Sequence, residues 1–166
     1  MSRRINRRVL REAEDIAVMA KLGKDLDRSA THLLHRAGQC AAELFSSDAR
    51  TGGLTPRQLA VMMVIGDKEG LNQTELVDRT GIDRSTMADL VARLTRRGLI
   101  QRRRTKEDAR AYAIKLSQQG ARLLREARPG AAAADQRLIA CLPASKRQDF
   151  LDSLDLIVTS ANKVRR

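Results

Sequence analysis

Aromatic side chains are almost absent from this chain. Its 166 residues include no tryptophan, one tyrosine and two phenylalanines. Proteins that bind single-stranded DNA or RNA commonly stack the bases on aromatic rings, and Phe45, Tyr112 and Phe150 are too few to build such a surface. The composition therefore argues against a base-stacking platform for single strands.

Cysteines and long apolar runs are scarce too. Cys40 and Cys141 match neither a disulfide framework nor the spacing of a zinc site, and so few cysteines fit a reducing compartment. No apolar run approaches the roughly 20 residues that a membrane-spanning helix needs. The basic start of the chain leads into acidic residues instead of the apolar core of a signal peptide. We therefore expect a cytoplasmic protein that does not span a membrane.

Acidic residues are the minority charge. The 32 lysines and arginines exceed the 20 aspartates and glutamates, which leaves a net charge of +12 and a pI near 10.9. Such a balance indicates a polyanionic partner, either a nucleic acid or an anionic membrane surface. Because the aromatic rings for single strands are missing, duplex DNA read by a helix is the leading hypothesis.

Motifs of enzyme chemistry are missing as well. The chain has no phosphate-binding glycine loop, no metal-ligand spacing and no serine elbow. We therefore expect no enzymatic activity, no cofactor and no bound metal. The apolar fraction, 42% of the residues, is sufficient for one compact domain with a hydrophobic core.

What the chain does contain is helical periodicity over most of its length. A short helical pattern covers residues 9–22, and a stronger one covers 27–47. The second pattern places its apolar residues on one stripe: Ala30, Leu33, Leu34, Ala37, Ala41, Leu44 and Phe45. Two capping-box sequences, which begin at Thr55 and Asn72, predict the starts of the next two helices. Asp83 is expected to cap a further helix, which ends before Gly98.

The helix predicted at 83–97 has two distinct faces. A rotation of about 100° per residue places Met87, Leu90, Val91 and Leu94 on the core side. The opposite side and its flanks carry short hydroxyls, alanines and long cations. In the major groove of DNA, small residues allow close approach and arginines reach guanines or phosphates. Taken alone, the same face would also suit a solvated surface helix.

Residues 98–116 favour the DNA hypothesis. Two runs, 99–104 and 111–116, predict β-strands around a charged tip at 105–110. From 83 to 116 the chain carries ten cations and four acids, a net +6 that is half of the total charge. A basic helix beside a basic hairpin can straddle a duplex, with the helix in the major groove and the hairpin on the backbone or in the minor groove.

Three short motifs accompany this order of elements: the Arg-Gly-Leu-Ile exit at 97–100, the Asp-x-Arg tip formed by Asp108 and Arg110, and Leu-Ser-Gln-Gln-Gly at 116–120. With them, residues 54–124 resemble the MarR family of bacterial winged-helix transcriptional regulators. The resemblance implies a mainly α fold with a small β-hairpin wing, that is, a winged helix-turn-helix with flanking dimerisation helices. It also implies a homodimer that binds double-stranded DNA at a palindromic operator, usually as a repressor, and that a small molecule releases.

The resemblance assigns roles to individual residues. On the recognition helix it places a set of side chains against DNA: Arg84, Ser85, Thr86, Ala88, Asp89 and Arg93. It places Arg110 in the minor groove and gives Asp108 the role of holding the wing. Arg104 and Lys106, which are among the cations of the hairpin, are expected to contact DNA as well. Family members often have a basic or polar residue where this chain has Asp89, whose carboxylate could accept a hydrogen bond from a cytosine amino group.

The flanking segments are expected to form the dimer. Residues 53–117 suffice for the DNA-binding lobe, whereas 1–52 and 118–166 carry further apolar stripes. The C-terminal stripes contain Leu123, Leu124, Leu138, Ile139 and Leu142, then Phe150, Leu151, Leu154, Ile157, Val158 and Ala161. This is more apolar surface than one lobe can cover, which favours burial against a second copy. The resemblance implies the same arrangement, in which the first and last helices interlock.

The residues themselves give less evidence for an effector site than for the DNA-binding surface or the dimer. His32 and His35 lie one turn apart but opposite the leucine stripe, which favours surface histidines, and a metal pair would need further ligands. The resemblance implies a pocket between the first two helices, the helix after the wing and the DNA-binding lobe. There His32, His35, Arg36 and Arg57 would meet an anionic effector, such as an aromatic acid or its coenzyme A thioester. Cys40 is expected to be a small buried thiol. An architectural or effector-independent DNA-binding protein stays open as the alternative.

The wing tip generates the first testable prediction. Arg110→Ala should lower operator affinity by on the order of 1–3 kcal/mol and reduce the salt dependence by about one unit, because a minor-groove cation is lost. Asp108→Ala should also weaken binding, although it makes the protein more cationic, since Asp108 is expected to pair with an arginine of the wing and hold the tip in place. Tighter binding by the Asp108 variant in an anisotropy titration would mean that the tip is only a cluster of charge.

Overall fold

The computed structural model describes residues 25–104 and 112–164. Its elements are α1 (Ala30–Ser46), a 3-10 turn (Ala49–Thr51), α2 (Pro56–Asp67), α3 (Gln73–Thr80), α4 (Arg84–Arg96), β1 (Ile100–Arg104), β2 (Tyr112–Leu116), α5 (Gln118–Ile139) and α6 (Ala144–Val164). The mainly helical fold with a two-stranded antiparallel wing confirms the predicted fold class. The helical pattern at 9–22 and the tip residues Lys106, Asp108 and Arg110 lie outside the described residues.

Backbone contacts divide the chain after Cys40. In the first unit α1 begins at Ala30, not at residue 27 as the periodicity predicted. The reason is a local cap: the Ser29 hydroxyl accepts a hydrogen bond from the His32 amide at 3.4 Å, and the Ser29 carbonyl accepts one from the Leu33 amide at 2.9 Å.

The apolar stripe of α1 is exposed over most of its length in the single chain. Leu33 and Leu34 are 49% and 42% exposed. Cys40 is also exposed, so the prediction of a buried thiol is wrong. The neighbouring residues of α1, including Leu33 and Leu34, are exposed with it, so the position of Cys40 at the edge of the stripe does not bury it.

In the second unit, both predicted capping boxes are confirmed. The Thr55 hydroxyl accepts from the Gln58 amide at 3.2 Å, and the Gln58 side chain accepts from the Thr55 amide at 3.0 Å. Asn72 and Glu75 make the same reciprocal pair at 2.9 and 2.8 Å. The two boxes satisfy amides that would otherwise lack partners at the starts of α2 and α3.

Gly81 links α3 to α4 in a left-handed conformation with φ of 68°. The prediction for the buried face of α4 is confirmed, since Met87, Leu90, Val91 and Leu94 are all buried. They join one core with side chains from α2, α3 and the wing, whose fully buried members include Met62, Ile65, Leu71, Leu76, Leu99, Ile100 and Ile114.

The wing is a two-stranded hairpin in which Ile100 pairs with Leu116 and Arg104 pairs with Tyr112. The Ile114 amide donates to the Leu71 carbonyl at 2.8 Å, which attaches β2 to the segment before α3. β1 begins one residue later than predicted because the Leu99 amide is still bonded to the last turn of α4, where it donates to the Leu94 carbonyl at 3.0 Å.

α5 continues through Pro129, which lies inside its 22 residues although proline cannot donate to the preceding turn. Small residues let this helix approach the 3-10 turn closely. A Cβ atom on Gly130 would lie 3.1 Å from both Asp48 Oδ1 and Arg50 Cβ. Hydrogen bonds from the side chain and backbone of Arg50 lower the pKa of Asp48 to about 2, so the carboxylate stays charged beside α5.

The start of α5 is joined to the end of α4. The Ser117 hydroxyl donates to the Gly98 carbonyl at 2.6 Å and accepts from the Gly120 amide at 2.9 Å. The Ser117 amide donates to the Leu99 carbonyl at 3.0 Å. A Cβ atom on Gly120 would overlap that same carbonyl oxygen, so only glycine fits here.

Gly120→Ala should therefore destabilise the protein by about 2–3 kcal/mol, because the backbone of α5 must move away from Leu99. Gly38→Ala is the matched control, since Gly38 also lies within a helix but its Cβ would meet nothing within 4 Å. The control should be neutral or more stable by up to about 1 kcal/mol. Thermal denaturation of the full chain measures both changes, and equal melting temperatures for the two variants would contradict the close contact.

Candidate DNA-binding surface and ligand pocket

α4 presents a solvent-exposed face opposite its core face. Among the predicted contact residues, Arg84, Ser85, Ala88, Asp89 and Arg93 are exposed and Thr86 is half-buried. The small side chains at positions 85, 88 and 92 leave the backbone of α4 open to close approach by another molecule. The assignment of these residues to DNA contacts stays a prediction.

The N-terminus of α4 is held by Asp83. Its carboxylate accepts hydrogen bonds from the Thr86 amide at 2.9 Å and from the Ser85 hydroxyl at 2.7 Å. The hydrogen bond from the Thr86 amide is the main reason that the pKa of Asp83 lies well below its usual range. Because the Ser85 hydroxyl donates to Asp83, its remaining capacity toward a ligand is to accept a hydrogen bond.

Asp89 and Arg93 form an ion pair one helical turn apart on the exposed face. Arg93 Nε lies 2.9 Å from Asp89 Oδ2, and the two side chains are 58% and 53% exposed. The spacing of four residues is the favourable one for such pairs along a helix. The carboxylate therefore has a partner on its own helix before any base approaches.

Arg97, at the end of α4, turns inward to the loop before α2. Its guanidinium donates to the carbonyl oxygens of Gly52 and Gly53, each at 3.3 Å, and to Gln58 Oε1 at 3.4 Å. The sequence interpretation counted Arg97 among the cations available to DNA. The structure instead uses it to connect α4 with the capping box of α2.

Two further cations attach the wing to the helices. Arg102 donates to Gln73 Oε1 at 3.1 Å, and Lys115 Nζ lies 2.7 Å from Glu69 Oε2. The hydrogen bond from Lys115 lowers the pKa of Glu69 below its usual value. β1 ends at Arg104, and the tip residues predicted to contact DNA follow it outside the described residues.

A pocket lies between the end of α1, α2 and α5, and we call it the α2–α5 pocket. Its volume is about 450 Å³. Its walls are mostly apolar, and two charged side chains of α5, Arg128 and Asp135, stand among them. The full lining consists of Phe45, Pro56, Leu59, Ala60, Met63, Arg128, Ala131, Ala132 and Asp135.

Of the residues predicted for effector binding, Arg57 is exposed in the first turn of α2 and is not among the lining residues. His35 and Arg36 are exposed and His32 is half-buried, all in the first unit, and their role stays a prediction. The cation among the described lining residues is Arg128, which the sequence interpretation missed. The sequence does contain an indication of this pocket. The run of glycine and alanine at 130–134 forms a stretch of α5 whose small side chains leave space beside Arg128.

Two findings concern the described parts of the chain, 25–104 and 112–164. No three His, Cys, Asp or Glu side chains are placed to hold a metal ion there. Within the same residues, each helix is too short or too polar to cross a bilayer.

Comparison with known proteins identifies the family. A model of the MarR family matches residues 52–111. The transcriptional regulator HosA of Escherichia coli is 32% identical over 98 residues, which span 59% of this chain and 73% of HosA.

Two solved structures share the fold. BpsR of Bordetella bronchiseptica, whose DNA binding is regulated by 6-hydroxynicotinic acid, is 25% identical, with 79% of this chain and 94% of BpsR covered and a TM-score of 0.74. The transcriptional repressor CouR bound to a 23-mer DNA duplex is 29% identical, with 81% and 95% covered and a TM-score of 0.73. The chain belongs to the MarR family of winged helix-turn-helix proteins, and it is a DNA-binding transcriptional regulator and not an enzyme.

Proposed function

We propose that this regulator is a repressor that binds a palindromic operator as a homodimer and is released by a small anionic effector. The α2–α5 pocket is the observation that carries the effector part of the proposal. Sites for small molecules are typically concave and mostly apolar, with a few polar groups that orient the ligand, and about 450 Å³ lies within their usual range.

The DNA-binding arrangement follows from α4 and the wing. α4 enters the major groove with its small side chains and the arginines at its two ends. The wing follows the backbone, and its tip, with Arg110, reaches the minor groove. Arg97, Arg102 and Lys115 are engaged within the protein, so the cations proposed to contact the duplex are those of the outward face of α4 and of the distal wing.

The effector class is argued from the pocket chemistry. Phe45, Leu59 and Met63 supply apolar surface that suits a flat ring, and Arg128 supplies a planar guanidinium that suits a carboxylate. BpsR responds to an aromatic acid of this kind, 6-hydroxynicotinic acid. The class proposed for this chain is therefore an aromatic acid, or the acyl group of its coenzyme A thioester.

Occupation of the pocket reaches the DNA-binding surface through α2. Pro56 and Leu59 line the pocket from the first turn of α2, and Gln58 in that turn accepts a hydrogen bond from Arg97 at the end of α4. A ligand that displaces the first turn of α2 changes the anchoring of α4. A shift of α4 in each of two subunits would alter the distance between the two recognition helices. Binding would weaken, because the two half-sites of a palindrome lie at a fixed distance from each other.

Homodimerisation is supported by the exposed apolar face of α6. Phe150, Leu151, Ile157 and Val158 are between 37% and 58% exposed in the single chain. These residues share one stripe at helical spacing, and a contiguous apolar face of this kind marks a protein interface. A second copy of the chain would bury it.

The full chain should therefore scatter light as a particle of twice 18.4 kDa. Ile157→Glu combined with Leu151→Glu should shift the population toward the monomer, because both charges enter the apolar face. Thr159→Glu is the matched control on the opposite side of α6 and should leave the dimer intact. A monomeric wild-type chain at micromolar concentration would exclude the dimer and the palindromic operator with it.

A thermal-shift screen of aromatic acids and their thioesters tests the effector. A ligand that binds the folded state raises the melting temperature by mass action, and the same ligand should release a labelled operator duplex. Arg128→Met should abolish the shift for the acid while DNA binding persists, whereas Arg122→Met, an exposed arginine of α5 outside the pocket lining, should retain it. An operator complex that no member of the panel weakens would favour the effector-independent alternative.

A further inference from the structure

The ion pair between Asp89 and Arg93 on α4 adds too little to the stability of the protein for stability to be its main effect. An exposed pair of this spacing contributes little to stability, and the side chains of Asp89 and Arg93 are more than half exposed. Salt screens it further. Its consequence in the folded protein is therefore geometric, because it restricts where the guanidinium of Arg93 can point.

The contact uses one particular edge of the guanidinium. Arg93 Nε is the nitrogen that lies 2.9 Å from the carboxylate, so the N–H groups of both terminal nitrogens remain as donors. Two parallel N–H groups of an arginine match the O6 and N7 acceptors of guanine in the major groove. The negative charge of Asp89 beside the cation reduces the attraction of Arg93 to the phosphates of the DNA backbone.

The neighbours of the pair permit this approach. Ala88 and Ala92, next to Asp89 on the exposed side of α4, carry a single methyl group each. Their size allows the helix backbone to come close to base edges. The hydroxyl of Ser85, one turn before Asp89, already donates to Asp83, so it does not compete for the carboxylate of Asp89.

We propose that Arg93, oriented by Asp89, reads one guanine in each half-site, and that Asp89 is a positioning residue for this contact. The proposal rests on the proposed entry of α4 into the major groove. It differs from the interpretation of the sequence in which the Asp89 carboxylate itself accepts a hydrogen bond from a base. It also accounts for an acid on a surface that must approach a polyanion, since the carboxylate is neutralised within its own helix.

The test begins with an operator selected from a random duplex pool by the full-length wild-type protein. Dissociation constants are then measured for this operator and for duplexes with each half-site base pair replaced in turn. Arg93→Met should reduce the preference for guanine at one position by roughly 10- to 100-fold while leaving the salt slope almost unchanged. Arg103→Met, which removes an exposed arginine of the wing, is the matched control and should weaken all duplexes alike.

The Asp89 variants separate orientation from direct contact. Asp89→Ala should weaken the preference at the same position as Arg93→Met and bind unrelated duplexes more tightly, because an acid is removed. The double variant should be no less selective than Arg93→Met alone. Asp89→Asn, which keeps an acceptor oxygen, should retain part of the preference. Melting temperatures of the variants check that the fold is unchanged.

Three outcomes would overturn the proposal. Asp89→Ala could alter the preference at a different base pair, which would mean that Asp89 contacts a base directly. Arg93→Met could weaken all sequences equally with a reduced salt slope, which would make Arg93 a phosphate contact. Failure of the wild-type chain to select any sequence would overturn the sequence-specific repressor as well, whereas the first two outcomes would leave that function intact.

Discussion

The carbonyl oxygen of Leu99 is the point on which the DNA-binding part of the molecule depends. It accepts the Ser117 amide at 3.0 Å and lies against the backbone of Gly120. Three elements meet there, because the Leu99 amide bonds to the last turn of α4, the hairpin closes between Leu99 and Ser117, and α5 begins at Gln118. A rigid junction at this position fixes the wing relative to the recognition helix. It also fixes the start of the helix that forms one wall of the α2–α5 pocket.

Some cations of the DNA-binding lobe form hydrogen bonds or ion pairs within the protein, and others face outward. Arg97 and Lys115 bond to groups of α2 and its flanking loops, and Arg102 bonds to the first residue of α3. These bonds hold the three side chains against the protein, so they position α4 and the wing instead of contacting phosphates, although in them Arg97 and Arg102 bond to neutral groups and keep their charge. A net charge therefore overstates the number of phosphate contacts that such a lobe makes, and the salt dependence of binding should reflect only the outward set.

Local features of the fold could be predicted from the sequence, and long-range ones could not. The capping boxes at Thr55 and Asn72 were predictable because all of their partners lie within four residues. The buried face of α4 followed from periodicity alone. The partners of Arg97 lie 39 to 45 residues away, and no local pattern indicates them.

In the candidate site, too, local features could be predicted from the sequence better than long-range ones. The outward side chains of α4 were assigned from helical spacing, yet the pairing of Asp89 with Arg93 was overlooked although its spacing of four residues is visible in the sequence. Arg128 was missed because the α2–α5 pocket is assembled from three helices. Cys40 was predicted to be buried because a stripe of apolar residues does not show whether its own chain or a second one covers it.

In the proposed dimer, two copies of α4 read the major groove of one palindromic site. Dimethyl sulfate methylates guanine N7, an atom that lies in the major groove, so protection from this reagent reports major-groove contact directly. On an operator selected by the wild-type chain, we expect two protected patches whose centres lie about 10 base pairs, or one helical turn, apart. A bound operator with unprotected guanines, or with a single protected patch, would contradict this account.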